Sequence, residues 1–158
     1  MTSTTIPRRQ PRCRATPIVA TALILAIGAT LGAQEAERFG ERLSRMPVDL
    51  RTTSAISGAG SVAAELSGNE LTITVRFNGL SSGVTAAHVH NAPVARRGGV
   101  AFAVDLRDAS GTAGEIVDTV TLTEAQIAEL RGGRYYVQLH TANNPGGELR
   151  GWLLRRDE

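Results

Sequence analysis

The chain has 158 residues, 42% of them hydrophobic and 20% charged, which suits one domain with a modest core and excludes both wholesale disorder and two full domains. With three Phe, two Tyr and one Trp, that core has to be built mainly from Val, Ile, Leu and Ala. The formal charge of +2 becomes −2 once Arg8, Arg9, Arg12 and Arg14 are set aside, and the remaining arginines are scattered, so the basic face that nucleic-acid backbones require is missing.

Those four arginines form a positive segment ahead of an uncharged run from Ala15 to Gln34. Its apolar heart is Ile18-Val-Ala-Thr-Ala-Leu-Ile-Leu-Ala-Ile27, and Leu31-Gly32-Ala33 supplies small residues for cleavage. This is the layout of an export signal over residues 1–33. The run is also long enough to span a bilayer, so an uncleaved N-terminal anchor is the rival reading. Both place the rest of the chain outside the cytoplasm, secreted or periplasmic, with membrane contact only through residues 15–34. Arg8-Arg9 hints at a twin-arginine signal, but the residues after it fit poorly. Cys13 precedes the apolar run, so it is not a lipid anchor, and the exported part has no cysteine for a disulfide.

Residues 34–46 are charged and carry no strong apolar face. They read as a linker, with a short exposed helix as the alternative, and the β domain is expected over 47–156. Val62, Ala64 and Leu66 alternate with polar residues, then Ser67-Gly-Asn-Glu70 offers turn chemistry, and Leu71, Ile73, Val75 and Phe77 alternate again. Period two over two such runs predicts a hairpin with one buried face. Further runs follow at Val100, Phe102, Val104 and Leu106, at Ile116, Val120 and Leu122, at Tyr135, Val137 and Leu139, and at Leu149, Gly151 and Leu153. Between them, Thr123-Glu-Ala-Gln126 matches a capping box, Ile127 and Leu130 give a short apolar stripe, and Gly132-Gly133 gives a stop. The expected fold is all-β: an antiparallel, Greek-key-like β-sandwich or small barrel with one short helix near 123–131.

Two segments carry a family resemblance. Leu80-Ser-Ser-Gly-Val-Thr-Ala-Ala-His-Val-His90 and Tyr136-Val-Gln-Leu-His-Thr-Ala-Asn-Asn-Pro-Gly-Gly-Glu-Leu-Arg-Gly151 resemble the CHRD (chordin-type) domain, and Leu122-Thr-x-x-Gln-x-x-x-Leu130 fits as well. The resemblance covers roughly residues 46–155 and implies a secreted β domain without an established activity. A fainter likeness is to Cu/Zn superoxide dismutase, whose copper-ligand strands are similar to the His-Val-His strand and to the later Val-x-x-His strand. By that likeness His88, His90 and His140 would stand at the copper position, and Arg150 near the place of that enzyme's active-site arginine. The chain has three histidines, so the zinc-bridging and remaining zinc histidines have no counterpart. A full dismutase site is excluded, and a reduced copper-type site remains.

Residues i and i+2 of a strand point to one face, so His88 and His90 can converge on one ion while Val89 faces the core. His140 ends a strand in the same way, with Leu139 turned inward. Three imidazoles suit copper or zinc rather than calcium or magnesium. The competing reading, which an isolated H-x-H slightly favours, is that these histidines bond to nearby loops or face water. Arg150 and Glu148 share a face of the last strand, where Arg150 would attract an anion near the histidines or, the better-supported reading, take part in an ordinary cross-strand ion pair. Asn143-Asn-Pro-Gly-Gly147 reads as a tight turn. Of Tyr135 and Tyr136, at most one is expected to be exposed, and Trp152 reads as a rim or outward residue.

Other motifs fail. Gly58-Ala-Gly-Ser-Val-Ala63 matches a dinucleotide glycine pattern but is followed by a strand, and no G-x-S-x-G elbow occurs. The expected function is therefore that of an exported, non-enzymatic binding module for an envelope, matrix or other protein partner. The alternative is a copper- or zinc-binding redox-type protein with a reduced dismutase-like site.

Overall fold

The structure is a computed structural model that describes residues 1–2, 35–46 and 55–156. The expected export signal, beyond residues 1–2, and Cys13 lie outside the described residues. Eight strands and one helix follow in chain order: β1 (Glu37–Arg45), β2 (Ala59–Ser67), β3 (Glu70–Asn78), β4 (Val84–Asn91), β5 (Gly99–Val104), β6 (Gly114–Thr121), α1 (Glu124–Arg131), β7 (Tyr135–Thr141) and β8 (Leu149–Trp152). They form one antiparallel sheet in the order β5-β4-β7-β8-β1-β2-β3-β6, curled into a nearly closed, barrel-like sandwich. The expected all-β fold with one short helix is what the chain adopts.

The β2–β3 hairpin forms as its alternation demands: Val62 pairs with Val75 and Ala64 with Ile73, and Val62, Ala64, Leu66, Leu71, Ile73, Val75 and Phe77 are all buried. Facing them from the other half are Val89, Val137, Leu139 and Leu149. Each such side chain contributes about 1.5–3 kcal/mol on leaving water. Helix α1 starts at the expected capping box: Gln126 N–H donates to the Thr123 hydroxyl at 3.3 Å and Thr123 N–H donates to Gln126 Oε1 at 2.8 Å. Its Ile127 and Leu130 add to the core.

Residues 37–45, expected as a linker, are instead a central strand. Residues 37–43 of β1 pair with β2, and Ser44 and Arg45 pair with β8, so β1 is the seam between the two halves of the sandwich. Phe39 and Leu43 are buried there. The missing apolar face follows from the residues themselves: between the inward Phe39 and Leu43, position 41 of the same face is an exposed glutamate, so no period of two develops. Leu43 fits because Gly60 and Gly151 flank it, where an added Cβ would approach its methyl groups to 3.1 and 2.9 Å.

A second difference concerns Val100, expected inside with Phe102 and Val104. The β4–β5 register shifts between Val89 and His90, so Phe102 stands opposite Val89 but Val100 stands opposite His90. One extra residue in β5 moves Val100 to the other face, and it is 56% exposed.

Candidate metal centre

Strand register arranges the outer face of β4, β7 and β8 as rows. His88 lies opposite Gln138 and Gln138 opposite Arg150, while His90 lies opposite Tyr136 and Tyr136 opposite Trp152; Ala86 lies opposite His140. On an ordinary sandwich this face would meet water. Here it is roofed by the β4–β5 and β7–β8 loops, so Tyr136 and Gln138 are buried. Tyr135 points into the core and is buried as well, so neither tyrosine forms an exposed patch.

The three histidines meet under this roof. His88 Nδ1 lies 3.1 Å from His140 Nε2, and the candidate ligand atoms of His88, His90 and His140 all lie within 4.8 Å of one another. Two rings are held from behind. His90 Nδ1 donates to the Gly98 carbonyl at 3.0 Å, and His140 Nδ1 donates to the Pro145 carbonyl at 2.9 Å. These bonds fix the tautomers, leaving each Nε2 with a lone pair directed at the cluster. His140 Nε2 then accepts from His88 Nδ1–H, and His90 Nε2 is buried with no partner in the protein. Metal–nitrogen bonds of about 2.0–2.1 Å in a tetrahedral site place the nitrogens about 3.4 Å apart, so gathering all three around one ion brings the farthest pair closer by about 1.4 Å, within reach of side-chain rotation. The residues fit a three-imidazole site.

Burial, then the neighbouring imidazoles, hold the His88 pKa below its ordinary value. Burial likewise lowers that of His90, partly offset by its bond to Gly98. Both effects favour the neutral ring, the form that binds metal. Beside the histidines is a cleft of about 200 Å³ lined by Met46, His90, Arg97, Tyr136, Gln138 and His140. The Tyr136 ring stacks on His90, with centroids 4.9 Å apart and planes 4° from parallel, and Gln138 Nε2 donates to the Gly146 carbonyl at 2.7 Å.

The expected cross-strand ion pair forms at neither Glu148 nor Arg150 among the described residues. Glu148 is fully buried and accepts hydrogen bonds from Ser57 N–H (3.0 Å), Ser81 N–H (2.8 Å), the Ser81 hydroxyl (2.9 Å), the Thr141 hydroxyl (2.6 Å) and Asn144 Nδ2 (3.1 Å). Burial by itself would raise its pKa, but these donors outweigh it and hold the carboxyl below its ordinary value. Glu148 thus anchors the loop that presents the Pro145 carbonyl. Arg150 turns away, its guanidinium 4.7 Å from the Trp152 ring and 5.9 Å from that of Tyr136, and Trp152 is half-buried beneath it. Tyr136 and Gln138 were legible as partners of His140 from their spacing of two along β7. Met46, Arg97, Gly98 and Pro145 come from loops and carried no such signal. The turn expected at 143–147 does contribute carbonyls, through Pro145 and Gly146.

Compared with known families, residues 43–153 match the family model described as the CHRD domain. No curated protein matches the chain, and no solved structure does.

Proposed function

Because the chain belongs to the CHRD domain family, we propose that it is an extracytoplasmic binding module that holds one copper or zinc ion on His88, His90 and His140. The observation that carries this reading is the convergence of the three ligand atoms within 4.8 Å, supported by the carbonyls that orient two of the rings. Neutral imidazoles on a rigid sheet cost little reorganisation on binding, and three ligands leave a fourth position open. Met46 lines the same cleft, and a thioether beside imidazoles favours copper over zinc. Copper would supply one-electron chemistry and zinc a Lewis acid; the chain's part is to bind and orient the ion. Trp152 is half-buried under Arg150, and the convergence of the histidines supports metal binding as the role.

Metal analysis of the purified full chain, followed by titration with Cu(II) and Zn(II), tests this reading. One tight equivalent is expected, lost in a His88→Ala/His140→Ala variant that keeps the parent's circular dichroism. Equal uptake by parent and variant would sink it.

A further inference from the structure

Among the described residues, three buried side-chain polar atoms lack a hydrogen-bond partner: His90 Nε2, Arg150 Nη1 and Trp152 Nε1. All three belong to the outer face of β4, β7 and β8, two of them on adjacent rows of β8. Elsewhere the described fold satisfies its buried side chains, Glu148 with six donors being the extreme case. Leaving a buried N–H unbonded costs about 1–3 kcal/mol, so a concentration of such atoms in one patch marks a place built to receive something.

The two kinds of atom call for different ligands. His90 Nε2 offers a lone pair and takes a cation. Arg150 Nη1–H and Trp152 Nε1–H are donors and take an acceptor. Arg150 is also a cation without a counter-charge: among the described residues no carboxylate lies within ion-pair distance of it, since the neighbouring Glu148 is engaged by serine, threonine and asparagine. Arg97, on the β4–β5 loop, is likewise without an acidic partner and adds to the positive field at Arg150. Burial first, and then Arg97, act to lower the Arg150 pKa, with Tyr136 acting in the opposite sense. Two like charges gathered at an aromatic site are unfavourable unless an anion joins them.

We propose that Arg150 and Trp152 form a binding site for a small oxyanion of the phosphate or carboxylate class, on the strand beside that of His140 and independent of any metal held by the histidines. A guanidinium fork matches two oxygens of such an anion, and the indole N–H supplies a further donor. The rings of Trp152 and Tyr136, 5.1 Å apart between centroids, shield the guanidinium from water and strengthen the attraction. Arg97 contributes long-range attraction.

Trp152 is the single tryptophan of the chain, so its fluorescence reports on the site directly. The experiment titrates the chelator-treated full chain with inorganic phosphate and, separately, with acetate, against chloride at matched ionic strength. A saturable change is expected with at least one oxyanion and not with chloride. Arg150→Gln is expected to weaken it about tenfold or more, the factor supplied by one charge-assisted hydrogen bond. Arg97→Ala, at an exposed position, is expected to weaken it less and to reduce its salt dependence. Because Arg150→Gln can also disturb folding, phosphate-induced protection of the parent against thermal unfolding is measured alongside. Retention of the change in the His88→Ala/His140→Ala variant is expected whether or not that site binds metal. The proposal is overturned if neither oxyanion gives a saturable signal or thermal protection, if Arg150→Gln binds as well as the parent, or if binding appears only in metal-loaded protein.

Discussion

His88 Nδ1 lies 3.1 Å from His140 Nε2, although 52 positions of chain separate the two residues. Adjacent antiparallel strands bring them together, and two backbone carbonyls keep the set aimed. Burial lowers the pKa of His88 and of His90 in the folded chain, whereas the unfolded chain keeps the ordinary value near 6.5. Below about pH 6.5 the unfolded state therefore binds more protons than the folded one, and stability falls with falling pH. The metal-free protein is expected to show a lower denaturation midpoint at pH 5 than at pH 7.5, with the slope reduced in a His88→Ala/His90→Ala variant. Urea unfolding at a series of pH values checks this, and a pH-independent midpoint across that window would contradict it.

Glu148→Gln keeps the shape of the side chain but replaces one acceptor oxygen by a donor that faces serine, threonine and asparagine donors. The expected loss is about 3 kcal/mol, read by urea unfolding at pH 7. Because Glu148 fixes the loop bearing Pro145, metal affinity is expected to fall as well, though no ligand is changed.

Gly98→Ala tests the carbonyl behind His90. An added Cβ at Gly98 would lie 1.8 Å from the Asn91 carbonyl oxygen, so the loop has to move and take the Gly98 carbonyl with it. A cost of about 1–3 kcal/mol is expected, together with weaker metal binding; unchanged affinity would mean that this carbonyl does not orient the ring.

Thr123→Ala removes half of the capping box and should cost about 1 kcal/mol while leaving metal uptake unchanged, since α1 supports the core rather than the outer face. Denaturant midpoints and a metal titration of the same preparation separate the two effects.

What could be read from the residues was local. The β2–β3 hairpin follows from alternation over neighbouring positions, α1 from a four-residue box, and the shared face of His88 and His90 from a spacing of two. What escaped was set by distant pairing. β1 shows no period because exposed Glu41 separates its two inward side chains, Phe39 and Leu43, and it is a strand only through its pairing with β2 and the end of the chain; Val100 moves outward because of a bulge defined only against His90. The carbonyls of Gly98 and Pro145 are backbone atoms with no side-chain signature, and the roof over Tyr136 and Gln138 exists only once the loops have closed. Glu148, expected to join a cross-strand ion pair, is instead engaged by Ser57 and Ser81, which arrive from elsewhere in the chain.

The seam at β1 bears on how this domain is completed. Its first strand joins its last, with Ser44 opposite Arg150 and Arg45 opposite Leu149, and beyond β8 the chain continues along β1, where Gly40 N–H donates to the Leu154 carbonyl at 2.8 Å. The sandwich therefore cannot close until nearly the whole domain has been delivered, and contacts so remote along the chain make for slow, late closure. Until then one flank of β1 lacks its partner, an opportunity for strand exchange between copies, so the domain's assembly is governed by its ends while its chemistry is held in its middle and rear strands.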